Sequence, residues 1–444
     1  MKPFASKQIA VFSCATVLIG FIFIPMANSA NESYDRYSTQ YPEIAEEPAW
    51  KEIVNHALVY PFEILRGIAD GGLYLVENYQ LDQKAKWIYG KIQDQGITPF
   101  GSVLSFTNLG GGAETDLVKL AHLRAHFPSL IVTHTLLWNH RTIFETSAKI
   151  GAERLFMDGV HAYGNFKYES RPEEHFNGIG HLSTAGNGTS YKMEVTTLGA
   201  TAGYSPTPLS SIDFDFTYQN INITDGEDGG RGIIDTTFPA NAIPGLAGDD
   251  LITVGLTFDH DTRHHAEAST QGGQEKLSVA FVNGIAGSNA RYFKSKLEIS
   301  RYLRLGSDRR VLAFHFYGEQ NNSFSAHSVP FHQMARLGGY GDYPNLSQTL
   351  RGFDNNRFYD KSAALFNLEY RYTVWEHREF KLDTVVFLDE GQVFNKYFRF
   401  KLKNFRESYG IGTRLSFANN TIFSVEVAHG DEGTNFYVKS RAPF

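Results

Sequence analysis

The sequence has little of three things that mark common classes of protein. Among its 444 residues there is one cysteine, Cys14, so a chain that loses its first thirty residues has neither disulfides nor thiolate chemistry. No run of five lysines and arginines occurs and the formal net charge is -7, which argues against a basic nucleic-acid binder. After the first thirty residues, no apolar stretch is long enough for a transmembrane helix.

Aromatic residues and glycine are plentiful instead. The chain holds 35 Phe, 23 Tyr and 41 Gly, a surplus that favours strands and amphipathic interfaces. Apolar residues make up 42% and charged residues 20%, which excludes a disordered chain. Composition leaves two classes open, a large soluble all-β protein and an outer-membrane β barrel.

The first thirty residues have the layout of a secretory signal peptide. Lys2 and Lys7 precede an uncharged apolar stretch at 9–27, and small residues follow it up to Ala30. We therefore predict a cleaved signal peptide at 1–30 and export from the cytoplasm. An uncleaved membrane anchor is the alternative, because the stretch is almost long enough to span a bilayer. Cys14 lies inside this stretch, which disfavours a lipoprotein site.

Residues 31–97 are predicted to form a polar and helical periplasmic segment. Residues 31–47 are polar, and between 48 and 95 apolar residues recur with helical spacing. The first such set is Trp50, Ile53, Val54, Ala57 and Leu58. This segment would pack on, or plug, the structure that follows; an ordinary small helical subdomain is an equally open interpretation.

From residue 98 to the end, the apolar residues alternate with a period of two. Ile212, Phe214 and Phe216 alternate with polar residues in one segment, and Phe366 and Leu368 begin another. Such segments of roughly ten residues are typical of transmembrane barrels, although a soluble sandwich alternates as well. We predict sixteen strands, near 98–107, 114–126, 130–140, 143–150, 154–167, 190–204, 210–223, 249–260, 274–285, 291–304, 310–320, 362–374, 380–393, 406–417, 420–429 and 434–443.

The connections between these strands sort by parity. Long ones follow odd-numbered strands, at 168–189, 224–248, 321–361 and 394–405. Brief ones follow even-numbered strands, at 127–129, 205–209, 375–379 and 418–419, with 261–273 as an exception. Outer-membrane barrels have short periplasmic turns and long external loops, whereas a sandwich has no reason to sort its loops. We therefore predict an all-β fold, a transmembrane antiparallel barrel of about sixteen strands over 98–444.

The longest connection, 321–361, carries a motif. Leu337-Gly338-Gly339 is followed by Leu350-Arg351-Gly352-Phe353, and Phe387-Leu388-Asp389-Glu390-Gly391 comes later in a strand. Together with Phe176-Asn177-Gly178, Asp261-Thr262-Arg263 and Tyr409-Gly410-Ile411-Gly412, this arrangement resembles the BamA/TamA-type bacterial surface antigen superfamily of outer-membrane insertases and translocases. Residues 321–361 occupy the slot of its sixth external loop, between the eleventh and twelfth strands.

The resemblance implies that this loop folds into the barrel lumen. Arg351 would pair with Asp389, which shares inward parity with Phe387 and Gly391, and a bidentate ion pair would hold the loop in one geometry. Gly352 would allow a turn or a close approach, and Phe353 would fill an apolar niche. Gly338 and Gly339 are the loop glycines of the motif. The alternative is that Arg351 only stabilises the barrel.

In the same superfamily the first and last strands meet at a weak seam that opens sideways. Here the seam would join 98–107 to 434–443, where Pro99 and Pro443 would weaken the pairing; ordinary strand ends are the alternative. Phe444 resembles the terminal aromatic of outer-membrane sorting signals. Residues 31–97 are too few and too helical for the POTRA domains of well-known members, so the chain resembles a barrel-only member.

Two hypotheses of function follow. The first is insertion, assembly or translocation of proteins (or lipids) at the outer membrane, with membrane lipid and unfolded outer-membrane proteins as partners. The second is a pore or a structural surface protein that keeps the fold without that activity. No cofactor or nucleic acid is implied.

Other candidate sites are weaker. His264 and His265, near 259–261, would suggest a metal site, but a solvated turn is favoured there. His315 and Glu319 share one strand face without a serine motif, so we do not predict an enzyme.

Overall fold

The described part of the chain begins close to the predicted barrel. The computed structural model describes residues 87, 90–100, 110–139, 143–238, 243–265, 268–340, 346–396, 404–417, 420–439 and 441–444. The predicted signal peptide and most of the predicted helical segment lie outside these residues. Of that segment, residues 90–94 are helical, and the chain enters the first strand at Ile97.

Sixteen consecutive strands form one antiparallel sheet, which confirms the predicted fold class. They are β1 (Ile97–Phe100), β2 (Gly110–Asp116), β3 (Leu130–Asn139), β4 (Ile143–Ala152), β5 (Val160–Phe176), β6 (Thr189–Thr207), β7 (Ser210–Asp225), β9 (Asp249–Asp261), β10 (Gly272–Ile285), β11 (Arg291–Arg304), β12 (Arg310–Ser323), β15 (Ser362–His377), β16 (Phe380–Phe394), β17 (Arg406–Phe417), β18 (Asn420–Gly430) and β19 (Gly433–Lys439). Each pairs with the next of these sixteen.

Several short elements lie in the connections. Helix α1 (Leu117–Leu120) follows β2, while β8 (Gly232–Ile233) and helix α2 (Ile234–Thr237) lie between β7 and β9. The long connection after β12 contains β13 (Ala335–Leu337) and β14 (Phe358–Asp360), which pair with each other. Among the described residues, no helix is long and apolar enough to cross a membrane.

The two faces of the sheet have the polarity of a membrane barrel. Phe214 and Phe216 of β7 and Phe258 of β9 point outward, where they are 50%, 43% and 41% exposed. On the opposite face, charged side chains such as Glu369 and Asp389 are buried. An apolar exterior around a polar interior is expected where lipid, and not water, surrounds the strands. The alternation seen in the sequence therefore has its apolar side outward.

The connections separate into two ends as their parity predicts. The described residues 177–188, 226–238, 243–248, 324–340, 346–361, 395–396 and 404–405 lie at one end, and the tight turns 208–209 and 378–379 lie at the other. The brief connection predicted at 418–419 lies outside the described residues. Since long loops of outer-membrane barrels are external, the first end faces outward from the cell. The connection 262–271 is the long exception at the periplasmic end, in agreement with the sequence.

Two predicted strands in the first half of the barrel have wrong boundaries. The strand predicted at 114–126 ends at Asp116, because the Asp116 carboxylate accepts a hydrogen bond from the Lys119 amide and caps α1. The strand predicted at 154–167 instead runs from Val160 to Phe176. Its external half was missed because charged residues that face the lumen interrupt the apolar alternation there. Residues 101–107 of the first predicted strand lie outside the described residues.

The last predicted strand, 434–443, is also too long. β19 ends at Lys439, and the segment from Arg441 to Phe444 turns into the lumen. The Phe444 ring stacks on His315 of β12 with 4.9 Å between ring centroids, and it packs against Tyr302 and Val311. Phe444 is therefore not part of the final strand, because the inner wall of β11 and β12 supplies it with an apolar contact.

Candidate functional site

The connection between β12 and β15, called the lumen loop below, folds into the barrel. Leu337, Leu350, Phe353 and Phe358 of this loop are at most 2% exposed and form one cluster with inward-facing wall residues. Burial of several large apolar side chains against the wall stabilises the loop inside the barrel. The described residues of the longest connection are thus packed against the inner wall.

Arg351 of the lumen loop and Asp389 of β16 come together as the resemblance implies. The Arg351 Nε donates to Asp389 Oδ2 at 2.7 Å, and Nη2 donates to Oδ1 at 2.6 Å. The Arg351 backbone amide adds a third hydrogen bond to Oδ2, at 3.1 Å. Both side chains are fully buried, so this two-pronged geometry fixes the position of the loop backbone as well as the side chain.

Two further carboxylates contact the same guanidinium. Arg351 Nη1 donates to Glu369 of β15 at 2.8 Å and to Glu426 of β18 at 2.9 Å. Beneath it, the Phe387 ring lies 3.4 Å from the Arg351 Cζ atom, which is a cation–π contact. One loop side chain therefore joins three wall strands, β15, β16 and β18.

The excess negative charge is balanced by two wall arginines. Arg414 of β17 donates to both Glu369 and Glu426 at 2.7–2.9 Å, and the Arg371 Nε donates to Glu369 Oε2 at 2.9 Å. The resulting lumen cluster has three cations and three anions: Arg351, Arg371, Arg414, Glu369, Asp389 and Glu426. Ions buried this deeply are tolerated because each has partners of opposite sign.

The glycines of the motif are required by close backbone contacts. Gly352 has φ +85°, and a Cβ atom there would lie 2.9 Å from the Gly430 amide nitrogen. Gly391 in the wall leaves space for Leu337 and Leu350, whose side chains would lie 3.1 Å from an added Cβ atom. A Cβ atom at Gly352 would crowd the wall backbone, and one at Gly391 would crowd the two leucine side chains of the loop.

The remaining motif residues lie around this contact. Phe353 is 1% exposed and packs edge-on against Phe358, and the Tyr437 hydroxyl donates to the Phe353 carbonyl oxygen at 3.1 Å. Gly338 and Gly339 have φ +133° and +71° where β13 ends. These glycines let the chain turn back after β13, beside the 354–357 segment.

A second set of contacts ties the lumen loop to the opposite wall. Arg336 and Asn356 donate to Glu174 of β5 at 3.3 Å and 3.0 Å. The Gly180 amide, in the 177–188 connection, donates to the Tyr359 carbonyl oxygen at 2.7 Å. The loop therefore crosses the lumen and is bonded to β5 on one side and to β15, β16 and β18 on the other.

At the external end, Arg357 joins the lumen loop to two other connections. Its Nε and Nη2 donate to the two oxygens of Glu432, both at 2.8 Å, in the turn between β18 and β19. Its Nη1 donates to Ser183 Oγ at 2.9 Å, and Nη2 donates to the Ser183 carbonyl oxygen at 2.7 Å. These bonds tie the lumen loop to the 177–188 connection and to the turn between β18 and β19 at the external end.

Sequence reasoning missed Glu369, Glu426 and Arg414. All three fall on the inward parity of their strands, as Asp389 does. The signal that the sequence offered was a charged residue at an inward position on each of several neighbouring strands. This signal shows that the residues face the lumen, but it does not show which of them form ion pairs.

The described residues of the histidine-rich turn contact one another or neighbouring strand residues. His264 and His265 stack edge-on at 4.2 Å, Asp261 binds Arg263, and Asp259 binds Gln274. In the part of the chain that the structure describes, no group of three histidine, cysteine or acidic residues is placed to hold a metal ion. The turn has its own internal partners.

Asp360, at the end of β14 and outside the spanning strands, gives a pH-dependent prediction. Burial raises the pKa of its carboxyl from 3.8 to about 6. The folded state holds the Asp360 proton more tightly than the unfolded state does. Protonation of Asp360 therefore contributes stability that is complete below pH 3.8 and is lost as the pH rises through 6. We expect Asp360→Asn to raise the free energy of unfolding at pH 8 by up to about 3 kcal/mol and to have no effect at low pH.

The measurement is the temperature at which half of the protein changes its electrophoretic mobility because the barrel has unfolded, after heating at pH 8 and at pH 4. Asp158→Asn is the control, because that carboxylate is 93% exposed and should change neither midpoint. An Asp360→Asn protein that behaves like wild type at both pH values would contradict the raised pKa.

The fold and the lumen cluster together define a class, an outer-membrane β barrel whose lumen is closed by an internal loop. The chain belongs to the Omp85 superfamily, whose domain matches residues 145–421. This confirms the resemblance seen in the sequence and is consistent with the outer-membrane barrel fold of the described strands.

Solved structures of related barrels are similar over most of the chain. BamA from Haemophilus ducreyi lacking POTRA domains 1–3 has 16% identity and a TM-score of 0.54, over 77% of this chain and 69% of that one. CdiB from Escherichia coli has 10% identity and a TM-score of 0.48, over 77% and 62%. CdiB from Acinetobacter baumannii has 12% identity and a TM-score of 0.45, over 78% and 59%.

This chain therefore spans less than two thirds of either CdiB chain. No curated protein matches it.

Proposed function

We propose that this barrel helps to insert, assemble or translocate proteins (or lipids) at the outer membrane through a seam between its first and last strands. The observation that carries the proposal is the lumen cluster, in which Arg351 binds Asp389, Glu369 and Glu426. A lumen closed by a packed and ion-paired loop is a poor pore. The strands themselves, and the edges between them, are then the remaining route for a client.

The two terminal strands support a weak seam. Pro99 lies within the described part of the first strand, where β1 pairs with β2, and β19 has seven residues against eleven in β18. Proline removes a hydrogen-bond donor, and a last strand shorter than its neighbour offers fewer bonds to a partner. A strand edge of this kind can pair with an extended client segment.

We also propose that the protein acts without chemistry of its own. His315 Nδ1 bonds Asn367, and its ring is covered by Phe444. Glu319 is ion-paired with Lys294 at 3.1 Å. Neither group is placed as a free base or acid for a substrate.

The test is the folding of a urea-unfolded outer-membrane barrel into liposomes, with and without this protein. We expect folding to be at least about tenfold faster with it, which corresponds to a barrier about 1.4 kcal/mol lower. In a planar bilayer the same preparation should carry little steady current, since the lumen is filled. A steady current without faster folding would favour a pore, and neither activity in a heat-modifiable barrel would leave a structural surface role.

A further inference from the structure

Three phenylalanines cluster on the outward face of the sheet, at the external ends of β10, β11 and β12. The ring centroids of Phe281 and Phe293 are 5.4 Å apart, and the Phe324 ring lies 6.0 Å and 5.6 Å from them. Phe293 is 54% exposed and Phe324 is 41% exposed. This aromatic patch is on the lipid side, at the level where barrels carry their aromatic girdles.

Arg291, the first residue of β11, lies on this patch. Its guanidinium carbon is 5.8 Å from the Phe281 centroid and 5.6 Å from the Phe324 centroid, so two rings orient it. No carboxylate among the described residues forms an ion pair with it. Lys192, an outward cation near the external end of β6, differs in this respect because Glu194 lies 3.3 Å from its Nζ.

The surroundings of Arg291 are suited to an anion with an apolar tail. Asn322 lies opposite Phe293 in the ladder, and its Oδ1 accepts from Gln320 at 3.0 Å, which turns its amide nitrogen away from Gln320. A guanidinium can bind two phosphate oxygens at once. The exposed rings below it are apolar surface that an acyl chain would cover.

We propose that Arg291, Phe281, Phe293 and Phe324 form a binding site for the phosphate-bearing head group of an outer-leaflet lipid. The phosphate binds the Arg291 guanidinium at the rim, and the first part of an acyl chain lies across the rings. Charge complementarity selects this occupant: a cation that two rings orient, and that has no carboxylate partner among the described residues, faces the membrane at head-group level. The site is on the outer wall, separate from the lumen cluster, so it does not depend on the proposed function.

The experiment is native mass spectrometry of the full chain, titrated with diphosphorylated lipid A. Wild type is compared with Arg291→Ala and with Lys192→Ala, a matched cation on a nearby strand end. We expect Arg291→Ala to raise the Kd about tenfold, equivalent to about 1.4 kcal/mol. Lys192→Ala should stay within about twofold of wild type, because Glu194 already neutralises that lysine. The gel shift on heating shows that each variant is folded.

Two ligand controls separate the head group from its alternatives. Lipid A without phosphates should bind wild type and Arg291→Ala equally, since only the ring contacts remain. Inorganic phosphate at the same concentration should not displace lipid A. The proposal is overturned if Arg291→Ala binds like wild type, if Lys192→Ala loses as much affinity, or if inorganic phosphate alone competes fully.

Discussion

Replacing Arg351 with alanine is expected to lower the free energy of unfolding of the barrel by about 3–5 kcal/mol. The change leaves Asp389 without its two-pronged partner and removes one contact each from Glu369 and Glu426, all inside the protein. Breaking a buried ion pair from one side is costly because the remaining charges have lost both water and partner. The lumen loop should detach from β15–β18 as a result.

Guanidinium unfolding of the reconstituted barrel measures this effect, with tryptophan fluorescence and the gel shift as two readouts. Arg351→Lys should restore little, since one ammonium group cannot bind Asp389 at two points while reaching Glu369 and Glu426. Arg304→Ala is the control: that arginine is 43% exposed at the periplasmic end of β11 and pairs with Asp308, so about 0.5 kcal/mol or less is expected. Equal effects of Arg351→Ala and Arg304→Ala would refute the importance of the lumen cluster.

Gly352→Ala is expected to cost at least about 3 kcal/mol, the second-largest effect. Part of this is backbone strain, about 1–2 kcal/mol for an L-residue at the φ of +85°. The rest is displacement, because the new Cβ atom would lie 2.9 Å from the Gly430 amide nitrogen and the Ser408 Cβ atom. The hydrogen bond from the Gly352 amide to the Tyr437 hydroxyl would be lost with it.

Gly306→Ala separates strain from displacement. Gly306 has nearly the same backbone conformation, φ +78°, but nothing lies within 4 Å of an added Cβ atom. Its substitution should therefore cost only the strain. The same unfolding experiment compares the two proteins, and a Gly352→Ala cost no greater than that of Gly306→Ala would mean that the loop can shift without loss.

The barrel could be predicted because its physical cause is local. A strand that separates lipid from a polar lumen must alternate, as Ile212–Tyr218 does, and its turns must sort by length between the two sides of the membrane. The prediction failed where the pattern was hidden. Gly110–Gly112 of β2 have no side chains to alternate, and the external half of β5 alternates charge with small residues.

The candidate site was predictable only in part. The resemblance pointed to Arg351 and Asp389, which are 38 residues apart in the chain and bonded in the structure. Glu426 is 75 residues from Arg351. The contact between the two side chains depends on where the curvature of the sheet places β18 relative to the loop. Inward parity places Glu426 in the lumen, but it cannot say which of several inward charges it meets.

The sequence by itself determined the all-β barrel, the number of its strands, the alternation of most of them and the slot of the long loop, because period and loop length depend on neighbours along the chain. Only the tertiary structure decided that three arginines and three carboxylates form one neutral lumen cluster. It also decided that the loop is anchored to β5 on the opposite wall and that Phe444 packs inside against His315. These contacts join residues that are distant in sequence, and their geometry exists only after the sheet has curved around the loop.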